Sequence, residues 1–492
     1  MVDTLSNYIN GQWRQADAER TLDVENPGTG GVLARVPLSK TSELDAAVGA
    51  ARQAFRGWAR TAASQRVQPL FKLAQLLDEN NERIARQISE EMGKSLPDAR
   101  AEMKRAIENT QVACGMPTMI QGDTLIDAAG EIDGEVMRLP MGVFGAIVPF
   151  NFPAMVPFWF LPYAVAAGNA FVLKCSEQVP LTSRLMFELI HEAGFPPGVV
   201  NLVHGDKTIA EAMCAHNGID GISFVGSSNV ARLVAESCAR HGKRCQALGS
   251  AKNYLVVMPD APLDQVVRNM LTSCLGCAGQ RCMAASAIAC VGEQTYDDTV
   301  NRFVHAAKQQ RVGYPLDPQF EQVDVVGPVI SAAAKQRIES LIQTGIDEGA
   351  RLILDGRGVA VDGYPNGHYI GPTVFADVRP GMQIEQTEIF GPVVIIMKFG
   401  TLDDAIAAIN AHRYGNGASI YTQSGYNARK FKLETQAGMI GINIGIPAPI
   451  APLPFGGMKD SLHADIKAQS AEMVRFFTVA KTVTERYWPE DS

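Results

Sequence analysis

Five short apolar runs, at 144–149, 170–174, 199–203, 221–225 and 244–248, alternate with amphipathic helical stretches, and nothing else in the 492-residue chain restricts its fold more. Apolar runs this short, separated by helix-length segments, read as strands buried on both faces. Parallel strands cannot be joined by a tight turn, and a right-twisted sheet takes the chain back through a right-handed helical crossover. The sequence therefore predicts an α/β fold built on a parallel sheet. The rhythm restarts at YLVVM (254–258), with a helix over 262–275 and strands near 286–291 and 392–398. Two successive blocks imply two α/β domains with a cleft between them, where ligands usually sit.

The flanking segments read differently. YINGQW and TLDVENPGTGGVLARVP are hairpin strands around Gly/Pro turns. A helix starts at Ser42, with Asp45 at capping-box spacing and Leu44, Val48, Ala51 and Phe55 on one face, and a second long helical stretch covers about 66–110. The tail RFFTVAKTVTERYW is β-rich and apolar; alone it would expose an edge, so pairing with another subunit is expected. Residues 139–173 contain no Asp, Glu, Lys or Arg and could span a bilayer by length. Five prolines (140, 149, 153, 157, 162) and Asn151 and Asn169 interrupt them, which a lipid-exposed helix would not tolerate. The stretch reads instead as a buried strand, a loop holding Asn151, a short helix and a second strand ending at Lys174.

Apolar residues make up 46% of the chain and charged residues 20%, enough to build cores and too apolar for disorder. The net charge of −8, with no basic block, argues against nucleic acid or an anionic membrane as partner. Nine scattered cysteines point to a reducing compartment, and MVDTLSNYIN lacks the charged and apolar regions of a signal peptide. A cytoplasmic location is expected.

Among candidate motifs, GTGG (28–31) lacks a third glycine and sits in a hairpin turn, and no complete G-x-G-x-x-G or Walker A occurs. A nucleotide must then be held in another way. Cys274, Cys277, Cys282 and Cys290 could supply four thiolates to a metal, but Cys274 and Cys277 end an apolar helical pattern and Cys290 lies in a strand-like run, so no metal is expected. Gly279-Gln280-Arg281-Cys282-Met283-Ala284 is different: glycine permits close backbone approach, and Arg281 beside the thiol would lower its pKa.

PFNFP (149–153), LKCSE (173–177), SFVGSS (223–228), GQRCMA (279–284), EIFGP (388–392) and PFGG (454–457) stand in the order and approximate spacing of the aldehyde dehydrogenase superfamily, which the chain resembles along essentially its whole length. The resemblance implies a Rossmann-like cofactor domain at 1–121 and 138–250, a catalytic domain at 251–445, and an oligomerisation segment at 122–137 and 470–492. It makes Cys282 the nucleophile that attacks an aldehyde, and Asn151 the amide that forms an oxyanion hole with the Cys282 N–H. It assigns Phe150, Lys174, Glu177, Gly226, Ser227, Glu388 and Phe390 to the cofactor. A carboxylate at Glu177 would repel a 2′-phosphate, which favours NAD over NADP.

One departure matters most. Most of the superfamily carries Glu-Leu-Gly-Gly about 34 residues before the nucleophile, and that Glu activates water for deacylation. This chain has Ala247-Leu248-Gly249-Ser250-Ala251-Lys252-Asn253, and Ala247 accepts no proton. That replacement, the LG-x-A-K-N string, Arg281 and the tail FFTVAKTVT (476–484) look like the CoA-acylating methylmalonate-semialdehyde dehydrogenases. The resemblance implies that malonate or methylmalonate semialdehyde, coenzyme A and NAD give acetyl- or propionyl-CoA with loss of CO₂ or bicarbonate. Arg281 and Arg105 would clamp the substrate carboxylate. A homodimer or homotetramer is implied. The alternative is a non-acylating dehydrogenase that releases a free acid.

Overall fold

The computed structural model describes residues 2–488. Met1 of the expected cofactor domain and 489–492 of the expected oligomerisation segment lie outside the described residues.

Val143–Ile147 occupies the middle of an eight-stranded sheet, parallel to Ala170–Lys174 on one side and to Gly221–Val225 on the other. Val200–Leu202 continues the first side and Arg244–Leu248 the second, both parallel. The chain thus builds outward in one direction, returns to the middle, and builds outward in the other. Between Val143–Ile147 and Gly221–Val225 the loops at the carboxyl ends diverge and leave a crevice. The first strand stops at Ile147, short of the expected 149, because Pro149 has no N–H for the ladder. Gly221–Val225, Arg244–Leu248 and helix Ser228–Arg240 have the bounds that the sequence predicts.

The second sheet has seven strands, in the order Arg351–Leu354, Thr373–Ala376, Val393–Phe399, Ala287–Val291, Tyr254–Val257, Gly417–Tyr421 and Met439–Ile442. All pairs but the first are parallel. The chain therefore carries two α/β layers, as expected from the restart at Tyr254.

Three expectations change. The stretch 66–110 is three helices, Gln68–Glu79, Asn81–Met92 and Leu96–Cys114. Gly93 ends the second in the left-handed region (φ 87°), and Ser95 caps the third by accepting from the Asp98 N–H at 3.3 Å. Lys94 lies in this turn and is fully buried. Helix Thr41–Trp58 uses Glu43, not Asp45, to accept from the Lys40 N–H at 3.1 Å, while Asp45 pairs with His216. Lastly, the tail strand Thr478–Arg486 pairs within its own chain, antiparallel to Ile132–Pro140, which in turn pairs with Asp123–Ala129. The hairpin Asp123–Pro140 supplies the partner strand, and its second arm matches the tail residue for residue.

The charge-free stretch folds as strand, Asn151 loop, short helices Met155–Phe158 and Leu161–Ala166, and strand. Phe158, Trp159, Phe160 and Tyr163 are buried there, each burial stabilising by roughly 1.5–3 kcal/mol. Among the described residues no helix is long and apolar enough to cross a membrane.

Candidate active site

Cys282 follows helix Leu263–Leu275 through the turn Gly276–Gly279, where Cys277 (φ 52°), Ala278 (φ 53°) and Gly279 (φ 71°) are all left-handed. Such backbone costs of order 1–3 kcal/mol per non-glycine residue and persists only where the surroundings over-determine it. A Cβ on Gly279 would overlap the Gly391 carbonyl oxygen, so glycine is required for the turn to press against the segment that carries Glu388 and Phe390. Buried Gln280 anchors the far end, accepting from the Ile330 N–H at 2.9 Å. The Cys282 carbonyl accepts from the amides of Asn253 at 2.9 Å and Asn416 at 3.0 Å.

Asn151 sits at the carboxyl end of the central strand, 4% exposed, and its amide donates to the Gln280 carbonyl at 3.0 Å. Its backbone carbonyl accepts from the Lys94 ammonium at 2.6 Å. Lys94 pairs with Glu102 at 2.6 Å, both side chains fully buried, and Glu102 accepts from the Ala154 and Met155 N–H groups at 2.8 and 3.0 Å. A buried ion pair thus fixes the loop that bears the Asn151 amide.

Two cavities meet at Cys282. One of about 570 Å³ opens at the crevice of the first sheet, and Phe150, Asn151, Glu177, Gly226, Ser227, Glu388 and Phe390 line it. Phe150 and Phe390 stand edge to face across it, centroids 5.8 Å apart. The other, about 290 Å³, is lined by Arg105, Arg281, Asp98, Phe152, Met283 and Phe455. Lys174 is not on either wall; it is buried behind Glu177 and paired with it at 2.7 Å. Arg281 is committed to Asp98, to Cys277 Sγ at 3.2 Å and to the Thr272 carbonyl at 3.2 Å, which leaves part of its fork for a ligand. Arg105 is half-exposed and paired with Glu108 at 2.6 Å.

The expected lowering of the Cys282 pKa by Arg281 is outweighed. Burial, then the nearby Glu388 charge, push the thiol up to about 12, and the Arg281 attraction is the smaller effect. Glu388 itself is pushed up to about 7 by burial, against hydrogen bonds from Ser250 and from the Ala251 N–H at 3.0 Å. A second correction concerns Ala247. Its side chain points into the core that packs against helix Ser228–Arg240, among Phe224, Ala231 and Val234. Leu248, on the opposite face, belongs to the core against which Cys282 and Phe152 pack. The residue on the Cys282 side is Leu248, so that position is apolar too. Among the described residues, no group of three or more His, Cys, Asp or Glu side chains is arranged to hold a metal.

The sequence model of the aldehyde dehydrogenase family matches residues 13–483. The chain belongs to that family. It is 46% identical over 486 residues to malonate-semialdehyde dehydrogenase 2 of Geobacillus kaustophilus, covering 99% of each chain. It is 42% identical over 489 residues to malonate-semialdehyde dehydrogenase of Pseudomonas aeruginosa, covering 99% of this chain and 97% of the other. A crystal structure of a Sinorhizobium meliloti protein, assigned to the methylmalonate-semialdehyde dehydrogenases and complexed with NAD, superposes with a TM-score of 0.97 at 40% identity, covering 100% and 99%.

In this aldehyde dehydrogenase the motif strings single out most of the cavity walls but not what holds them. Lys94 and Glu102 lie in a charged helical stretch and carry no signal. Arg337, from helix Ala332–Asp347, donates to the Glu388 and Ile389 carbonyls at 2.7 Å each and is equally silent in sequence. Asn253 ends the LG-x-A-K-N string, which was a usable signal.

Proposed function

We propose that the enzyme oxidises malonate or methylmalonate semialdehyde with NAD and transfers the acyl group to coenzyme A, losing the carboxylate as CO₂ or bicarbonate. The names of the full-length relatives support the substrate class. The observation that carries the acyl acceptor is Leu248: the nucleophile's side of strand Arg244–Leu248 offers no proton acceptor, which disables water more than a thiol.

The larger cavity fits a dinucleotide, since it opens at the strand-order reversal, beside Gly226 and Ser227 at the start of helix Ser228–Arg240. Phe150, Glu177, Glu388 and Phe390 would hold NAD there, with Lys174 steadying Glu177. When bound, NAD supplies the hydride acceptor that turns a thiohemiacetal into a thioester. Once its proton has passed to solvent through the open cavity, Cys282 Sγ adds as thiolate to the aldehyde carbon, and the Asn151 amide with the Cys282 N–H receives the developing oxyanion. Arg105 and the free part of Arg281 orient the substrate carboxylate in the smaller cavity. The division into 1–121 with 138–250, 251–445, and 122–137 with 470–492 belongs to the same reading, as do a homodimer or homotetramer and a cytoplasmic location. Leu125 and Ile126 on the three-stranded sheet, and Tyr487 and Trp488 just past its tail strand, stand exposed and support the oligomer.

The test is NADH formation from malonate and methylmalonate semialdehydes with and without CoA, followed by product identification. Sustained turnover only with CoA, giving acetyl- or propionyl-CoA, is the expected result. Equal turnover without CoA, giving a free acid, supports the non-acylating alternative instead.

A further inference from the structure

Ser250–Asn253 joins the last parallel strand of the first sheet to the first strand of the second, and all four residues are buried. This short bridge grips both halves of the site. Asn253 holds the Cys282 carbonyl and also accepts from the Gly417 N–H at 2.9 Å. The Ala251 N–H holds the Glu388 carboxylate. Lys252 reaches along the same turn, its ammonium donating to the Ile384 carbonyl at 2.8 Å and the Thr387 carbonyl at 3.0 Å.

A lysine 3% exposed needs a reason, since taking an ammonium out of water is costly. Here two carbonyls and the charge of buried Glu385 oppose that cost, and burial still pushes the group down to about 8. Arg337 takes the Glu388 and Ile389 carbonyls from outside. The segment carrying Glu388 and Phe390 is therefore clasped by two cations, of which only Lys252 is covalently next to a residue that holds the Cys282 carbonyl.

We propose that Lys252 is a positioning residue for hydride transfer, fixing the 384–390 segment, helix end and following loop, at a set distance from Cys282 through the two-residue link Lys252–Asn253. This rests on the reading that the larger cavity takes NAD. Lys252 touches neither the nucleophile nor the cavity wall; it acts through the segment. A misplacement of order 1 Å in such a segment is worth about 10² in rate.

The experiment compares full-length wild type, Lys252→Met and Lys252→Arg by three readouts: the NADH burst with propanal, NAD affinity by fluorescence titration, and alkylation of Cys282 by iodoacetamide without NAD. Lys252→Met is expected to lose about 10² in burst rate and to bind NAD more weakly, with alkylation unchanged and the burst partly restored in Lys252→Arg. A wild-type burst rate per folded molecule in Lys252→Met overturns the proposal, and so does alkylation that falls in step with the burst. Should Lys252→Met fail to fold, Lys252→Arg, whose charge still faces Glu385, decides: a reduced burst with unchanged alkylation supports it, and a wild-type burst overturns it. Wild type that neither binds NAD nor shows a burst overturns the cavity reading itself.

Discussion

The Lys94 ammonium donates to the Asn151 carbonyl at 2.6 Å and is wholly shut off from solvent, with Glu102 as its counter-ion. The loop that carries the Asn151 amide thus hangs from a buried charge pair rather than from the strand alone. Lys94→Met leaves Glu102 uncompensated, and such deletions cost about 3–5 kcal/mol. The melting temperature should drop, and the folded fraction should lose about 10²–10³ in kcat, the weight of one oxyanion donor. Thermal melts and burst kinetics on the same samples check both; a lower Tm with an unchanged rate would confine the pair to stability.

Leu248 and Ala247 should respond oppositely to a carboxylate. Leu248→Glu places it on the nucleophile's side, and CoA-independent release of free acid should rise at least about tenfold, the low end of general-base assistance being higher still. Ala247→Glu buries a charge beneath helix Ser228–Arg240 without a partner and should mainly unfold the protein. Product assays and circular dichroism separate the two.

Glu388 and Cys282 are electrostatically linked, so Glu388→Gln should lower the thiol's pKa and speed iodoacetamide alkylation above pH 7. The native Glu388 pKa, near 7, lies above its ordinary 4.5, so the folded state holds the proton more tightly between those values. Stability therefore falls as pH rises from about 4.5 to about 7, and Glu388→Gln should flatten that part of the ligand-free stability profile. An unchanged alkylation profile would remove the link.

Arg105→Ala should raise KM for malonate semialdehyde about tenfold, the worth of a charged hydrogen bond of about 1.5 kcal/mol, and leave KM for propanal unaltered. Parallel losses on both aldehydes would make Arg105 a structural residue.

The exposed edge strand Asp123–Ala129 carries Leu125 and Ile126, 64% and 72% exposed. Leu125→Lys with Ile126→Lys should reduce the assembly size measured by light scattering, since charge on an edge opposes pairing. A wild-type monomer would contradict the oligomer reading.

Sequence legibility followed burial. Gly221–Val225 and Arg244–Leu248 were readable to the residue because both faces are covered and flanking polar residues mark their ends. Asn151, Cys282 and Glu388, which line one cavity, could be singled out because each sits in a distinctive string. Lys94 and Glu102 were not, because a charged helical stretch looks solvated until its partner loop, 57 residues away, is placed. The choice between Ala247 and Leu248 depends on which sheet face the second domain covers, and strand alternation alone says only that the two differ. The thiol's environment was misread for the same reason: Arg281 is adjacent in sequence, whereas Asp98, which occupies it, and Glu388, which opposes it, arrive only through folding.

One sulfur opening on two chambers has a consequence for traffic. On the proposed reading, the acyl group stays in the small chamber while the large one empties and refills, so cofactor and acyl acceptor enter by turns. A blocker of the small chamber should then compete with aldehyde and leave cofactor binding untouched.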